Sequence, residues 1–412
     1  MSRPEKLVII GGCGHVGLPL GVRFAQAGAG VLLLDINRQA VEMVNRGRFP
    51  FLEKGGEKEL RAALAGGMRA VSDPAAGRGA DAYIIVTGTP VDEHLNPKLD
   101  DVLKVFDIYK EYFRPGSLVI MRSTLFPGTM DYLRRRLARE RIKIKLAFCP
   151  ERVAQGAALE EISSLPQIVS AFDEKSFRAA CKLFARIAPA IIRLAPLEAE
   201  LAKLMTNAWR YLEFAIANQF YIIAESNGVD FHKIFEAMRH EYPRARGYKS
   251  PGFTAGPCLF KDTMQLASYF EHQFYLGHSA MLVNEGLAMF AVKRAGELLG
   301  GLKNKTIGLL GMSFKAGNDD TRESLSFRVK KTLEFQGASV IFHDPYVAGG
   351  VPLSCLVTRA DALILCTPHA EYARLKTNKP VVDIWGFIKK TQVAILPGLK
   401  KTGRKTKKGR SS

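Results

Sequence analysis

The sequence has little that would staple it covalently or anchor it in lipid. Its six cysteines stand at positions 13, 149, 181, 258, 355 and 366 with no CxxC pair. That spacing argues against a disulfide framework or a zinc site, so reduced thiols and no metal are expected. No apolar run approaches the roughly 20 residues that a helix needs to span a bilayer. The start, MSRPEKLVII, enters a buried-strand pattern almost at once, without signal-peptide anatomy. A cytoplasmic protein without a membrane span is therefore expected. Acid is also scarce, with 40 Asp+Glu against 59 Lys+Arg and a net charge of +19. Seven of the basic residues crowd into positions 398–412, a low-complexity stretch with no apolar periodicity, which reads as a disordered tail. The rest of the excess is spread thinly and suits an anionic substrate and cofactor; no specific nucleic-acid partner is expected.

What is present fits an ordinary globular chain. The 412 residues, 47% hydrophobic and 24% charged, are enough for two or three domains with cores of their own. Lys6 to Asp35 reads as an apolar run, a glycine turn, an amphipathic stretch, a Gly-containing stop and a second apolar run ending in an acid. That is a complete βαβ unit. Gly12, Gly14 and Gly17 fit GxGxxG, His15 and Val16 lie within it, and Asp35 follows about 20 residues on, where a ribose hydroxyl needs an acceptor. The pattern points to a dinucleotide, and a carboxylate at Asp35 favours NAD over its 2′-phosphorylated form, although Arg38 stands close by.

The segments AYIIVTGTP (82–90) and SLVIMRSTLFPGT (117–129) read as strands ending in turns. Strand C-termini are where ligands sit in parallel sheets, so Thr87, Pro90, Ser123 and Thr124 become cleft candidates. The hydroxyls of Ser123 and Thr124 are equally placed to cap a helix beginning near Gly128. KLAFCPERVAQG puts Glu151 at another strand end. The longest helical pattern runs from Pro196 to Asn227, roughly 45 Å as a helix of about 30 residues. Glu200, Lys203, Asn207 and Arg210 recur along one face of it. Taken alone, such a stripe is the solvent face of a helix.

Two further stretches carry chemistry. PGFTAGPCLFKD (251–262) sets Cys258 among small residues, with Lys261 and Asp262 beside it. A cysteine near glycine is commonly a small buried apolar residue, and ammonium groups close by would instead make it a low-pKa nucleophile. From Lys305 the chain repeats its own beginning: KTIGLLG answers KLVIIGG, Asp344 closes its strand as Asp35 does, and Thr367-Pro368 echoes Thr89-Pro90. The repeat lacks GxGxxG and offers GMSFKAGNDDTRES, so it should hold something other than a second NAD. The fold class read from this is α/β: two Rossmann-like doubly wound domains joined by a central helical domain with one long helix. The divisions are 1–195 for NAD, 196–300 for the helical dimerisation domain with the cysteine loop, 301–397 for the second Rossmann-like domain and 398–412 for the tail.

With these pieces placed, the chain resembles the UDP-glucose/GDP-mannose 6-dehydrogenase family along nearly its whole folded length. The matching motifs are GCGHVGLP (12–19), TGTPVDE (87–93), STLFPGT (123–129), CPERV (149–153), ELAKLMTNAWR (200–210), GPCLFKD (256–262) and FKAGNDDTRES (314–324). The resemblance implies a four-electron oxidation of a sugar C6 hydroxymethyl to a carboxylate with two NAD⁺ in turn. It implies Cys258 as the nucleophile that forms a thiohemiacetal and then a thioester. Lys203 and Asn207 would steady the oxyanion, Asp262 would assist proton removal, Glu151 thioester hydrolysis, and Thr124 the positioning of water. Arg322 would lie near the cofactor phosphates. Glu151, Lys203, Asn207, Tyr248, Gly256 and Lys315 would meet the sugar nucleotide, with Arg244 donated across a dimer interface. PERVAQGAALEEI looks more like the branch acting on UDP-N-acetyl-D-mannosamine, with UDP-glucose the second expectation. A single alcohol oxidation, or a non-catalytic binding protein with an interaction tail, are the competing readings.

Overall fold

The computed structural model describes residues 5–88, 99–254 and 256–388. Pro90, Ala255 and the tail at 398–412 lie outside them. The first sheet has eight strands: β1 Lys6–Ile10, β2 Gly30–Leu34, β3 Arg69–Val71, β4 Ala82–Ile85, β5 Leu118–Met121, β6 Lys145–Phe148, β7 Gln167–Ala171 and β8 Ile191–Leu194. Their order is β3-β2-β1-β4-β5-β6-β7-β8, and β6 with β7 is the antiparallel pair. The apolar runs are continuous because both faces are covered. Leu7, Ile9 and Leu33 enter one buried cluster, while Val8, Ile10, Leu32 and Leu34 enter another. Ile10 pairs with Leu34 on one side and Ile85 on the other, so three strand ends converge at the glycine turn.

The repeat near the C-terminus is a second parallel sheet, β9 Thr306–Leu310, β10 Ser339–His343, β11 Ala362–Leu365 and β12 Val381–Val382, in the order β10-β9-β11-β12. This repeats the arrangement of β2, β1 and β4. Helices join the two sheets. The longest, Pro196–Ser226, has Pro196 in its first turn and Glu198 accepting from the Ala195 amide at 2.7 Å. It ends at Asn227 and Gly228, the glycine at φ +70°. Against it pack Leu259–Tyr269 and Tyr275–Leu299. Among the described residues no helix is long and apolar enough to cross a membrane.

The stripe on the long helix does not face solvent. Glu200, Lys203 and Asn207 are buried, whereas Arg210 is exposed. On the other side Met205 is 52% and Trp209 61% exposed. A second helix and the first sheet's strand ends cover the polar side, which reverses what a lone amphipathic helix would do.

Candidate active site

At the glycine turn, geometry separates the three glycines by task. A side chain on Gly17 would put Cβ 2.3 Å from the Gly11 carbonyl oxygen, and on Gly12 2.7 Å from the Leu33 Cβ. Gly14 has only that carbonyl at 3.6 Å, so space lies open where a pyrophosphate would approach the helix Gly17–Gln26. Asp35 is held by its own turn: one oxygen accepts from the Cys13 amide at 2.9 Å and the other from Asn37 at 3.0 Å. Each oxygen keeps a lone pair for a ribose hydroxyl. Arg38 is exposed in the next helix. His15 stacks on Phe51 with centroids 4.0 Å apart, and burial followed by the Arg322 charge holds its pKa below the usual imidazole range. These residues fit a dinucleotide.

Two strand-end expectations resolve differently. Ser123 neither caps the following helix nor stands free. Its Oγ accepts from the Thr87 amide at 2.8 Å and ties β5 to β4. The cap of Thr129–Arg139 comes from Glu200, whose oxygens accept from Gly128 at 2.7 Å and Met130 at 2.8 Å. Burial pushes the Glu200 carboxyl up, and those amides oppose it. Thr124 is half-buried at the end of the same strand.

Cys258 stands just before the helix Leu259–Tyr269, which places Asp262 one turn on. Asp262 is 1% exposed and accepts from Asn207 Nδ2 at 2.6 Å, with Lys261 Nζ 3.4 Å from its other oxygen. That bond joins the inward face of the long helix to the cysteine helix. Lys203, a turn before Asn207, is buried on the same face. The thiol is not the low-pKa group that the nearby ammonium suggested. Cys258 keeps an open face, but the surrounding protein desolvates its thiolate and Asp262 adds like charge. Lys261, Lys203 and Arg322 oppose this without reversing it, so the net shift is upward. Gly256, at φ +100°, leaves no room for a side chain: Cβ would sit 2.5 Å from the Phe314 ring.

The second sheet brings its loop to the same place. Lys315 Nζ donates to the Gln155 carbonyl at 3.2 Å, and Leu52 N to Asp319 Oδ1 at 3.3 Å. Arg322 clasps Asp320 through Nε at 2.9 Å, and its charge reaches His15 and Cys258. Arg244 and Tyr248 are not brought into this group: Arg244 donates to the Tyr242 hydroxyl at 3.0 Å, and the Tyr248 ring lies 5.3 Å from that of Phe235. Burial pushes the Tyr248 phenol up to about 12.

Three family models match this chain: the NAD binding domain of the UDP-glucose/GDP-mannose dehydrogenase family over residues 5–188, its central domain over 197–286 and its UDP binding domain over 308–390. A UDP-N-acetyl-D-mannosamine dehydrogenase of Pyrococcus horikoshii is 30% identical over 93% of this chain and 96% of its own length. The chain belongs to the UDP-glucose/GDP-mannose dehydrogenase family. It is an NAD-dependent oxidoreductase acting on a CH–OH group, and its NAD binding domain spans the first sheet. Among solved structures, the UDP-D-ManNAc dehydrogenase of P. horikoshii superposes with a TM-score of 0.88 at 28% identity, covering 95% of this chain and 98% of that one. A UDP-glucose dehydrogenase from Pyrobaculum islandicum gives 0.87 at 29%, covering 94% and 95%.

Arg122 is what the sequence reading passed over. Only 2% exposed, it donates to the Cys149 carbonyl at 3.1 Å and Gln167 Oε1 at 2.9 Å, and pairs with Glu151. Glu151 Oε1 also accepts from the Val153 amide at 2.9 Å. Arg122 therefore sets where Glu151 stands. Its signal was a cation closing an otherwise apolar strand, SLVIM. Asn218 was missed for want of any such contrast. Fully buried, it donates to the Gly252 carbonyl at 3.1 Å and accepts from the Gly252 amide at 2.8 Å, which fixes the start of the cysteine loop.

Proposed function

We propose that this chain oxidises the C6 hydroxymethyl of a UDP-sugar to the carboxylate in two steps, with UDP-N-acetyl-D-mannosamine the favoured substrate and UDP-glucose the second. The observation that carries the reading is the buried bond at 2.6 Å between Asn207 and Asp262, which sets both beside Cys258. Bound at the β1 turn, NAD⁺ supplies the hydride acceptor, once for each step. Asp262 assists removal of the C6 hydroxyl proton. The sulfur of Cys258, losing its proton as it attacks, forms a bond to the aldehyde carbon and gives a thiohemiacetal. Lys203 Nζ and the second Nδ2 hydrogen of Asn207 donate to the oxyanion. After the second oxidation the carbon is a thioester. Water positioned by Thr124 and Glu151 breaks the C–S bond, releasing the acid and the thiol.

The N-acetylhexosamine preference is supported by the relative of that name at 30% identity; a UDP-glucose dehydrogenase among the similar structures keeps the second reading open. Ser123 holds Thr87, and Arg38 and Arg322 complete the NAD side. Lys315 and Gly256 serve the sugar nucleotide. The division at 195/196 and 300/301 and a cytoplasmic setting belong to the same reading. A second copy of the chain is the partner proposed for the apolar groove of about 490 Å³ lined by Met205, Trp209, Leu212, Phe270 and Phe274. Arg244 would cross that interface. The decisive experiment measures NADH formed per UDP-sugar consumed. Two are expected, with Cys258→Ser stalling acid formation, and a ratio of one in the intact protein overturns the reading.

A further inference from the structure

The turn after β9, residues 311–324, reaches three other segments of the chain. Lys315 reaches Gln155 at 3.2 Å, Asp319 accepts from Leu52 at 3.3 Å, and the Glu323 carbonyl accepts from Gly256 N at 3.2 Å. Phe314 fills the space over Gly256. Yet the middle of this turn has few apolar anchors: Lys315 and Gly317 are exposed, and Gly317 is at φ +66°.

What holds that middle is a histidine beyond the end of β11. His369 is 1% exposed, and its Nδ1 accepts from the Gly317 amide at 3.2 Å. A nitrogen that accepts carries no proton, so the network assigns the ring hydrogen to Nε2. Nε2 lies 3.1 Å from Asp344 Oδ2 and 3.2 Å from Ser313 Oγ. Ser313 Oγ donates to the Lys315 carbonyl at 3.0 Å, which leaves it an acceptor toward the imidazole. Asp344 also accepts from the amides of Met312 at 2.6 Å, Ser313 at 3.0 Å and Tyr346 at 2.8 Å. Burial acts to raise its carboxyl, but His369 and these amides outweigh it and hold Asp344 well below the usual carboxylate range. The carboxylate thus fixes the tautomer, and the tautomer leaves Nδ1 open for Gly317.

We propose that His369 is a positioning residue for the UDP-sugar site: its neutral imidazole ties Gly317 to Asp344 and so sets where Phe314 and Lys315 stand. The inference rests on the reading of that site as a UDP-sugar site.

Two substitutions separate the two ends of the imidazole. His369→Asn keeps an acceptor near Nδ1 and loses the donor to Asp344. His369→Gln keeps the donor and loses the acceptor. Calorimetric titration of the full chain with UDP is expected to show His369→Asn within about twofold of wild type and His369→Gln weaker by about 3- to 10-fold, the range of one net hydrogen bond. The KM for the UDP-sugar should follow the UDP affinity while kcat moves less, and both variants should lose similar Tm. Equal UDP affinities in both variants, or equal losses tracking Tm, overturn the inference and leave the UDP-sugar reading standing. A wild type that binds no UDP and reduces no NAD with any UDP-sugar overturns both. Should neither variant fold, hydrogen exchange on the wild type decides: the Gly317 amide must be protected although its residue is exposed, and free exchange overturns the inference.

Discussion

Replacing Asp262 with asparagine should make Cys258 more reactive and the enzyme far slower. The carboxylate is 1% exposed and accepts one hydrogen bond of 2.6 Å from Asn207. After burial, its negative charge is the main contribution raising the thiol pKa. In the wild type, alkylation of Cys258 by iodoacetamide should therefore show its pH inflection above that of free cysteine, about 8.5. Removing the charge leaves Lys261, Lys203 and Arg322 facing the sulfur. The inflection should move down and alkylation at pH 7 speed up, read peptide by peptide in the mass spectrometer. Cys149 and Cys366, fully enclosed with raised thiols, provide unreactive references in the same digest. Catalysis moves the other way. Loss of the proton acceptor should slow NADH formation by about 10²- to 10⁴-fold. Asparagine keeps a neutral acceptor toward Asn207 and loses only the charge assistance, so the fold should lose about 0.5–1.5 kcal/mol in a denaturant titration. Faster alkylation with unchanged turnover would refute the role given to Asp262. Slower alkylation would refute the electrostatic account of the thiol.

Two further outcomes are expected. Glu200→Gln keeps one acceptor for the Thr129–Arg139 cap and turns an NH₂ toward the other amide, so a loss of about 1.5–3 kcal/mol is expected in a denaturant titration; an unchanged midpoint would show that Glu200 caps nothing. Trp209→Lys places a charge in the apolar groove, and sedimentation should shift toward a single chain; a wild type that is already monomeric at all concentrations removes the proposed interface.

Much of the scaffold was legible because it is written in local periodicity. The run KLVII, the glycine turn and the acid closing VLLLD give β1, the helix Gly17–Gln26 and β2, and the echo at Lys305 gives β9 and β10. Apart from the β6–β7 pair both sheets are parallel, and their central strands are buried on both faces, so those strands are continuous apolar runs rather than alternating ones. The site was legible only as motifs. Cys258 and Asp262 share a helical turn and could be paired on paper, and Lys203 with Asn207 likewise, but nothing local says that the two pairs meet.

By itself, the amino-acid sequence determined the two βαβ repeats, the long helix with its proline start and Asn-Gly stop, and the nucleotide-binding glycine turn, because each is a contest between neighbours a few residues apart. Only the tertiary structure decided which face of the Pro196–Ser226 helix is buried, that Glu200 rather than Ser123 or Thr124 caps the helix beside it, that Arg122 holds Glu151, and that the cysteine thiol is raised rather than lowered. Each of those depends on what the fold packs around a residue, much of it from other elements of the chain: desolvation, charge and hydrogen-bond partners are set by the partner's approach, and no spacing along the chain encodes that distance.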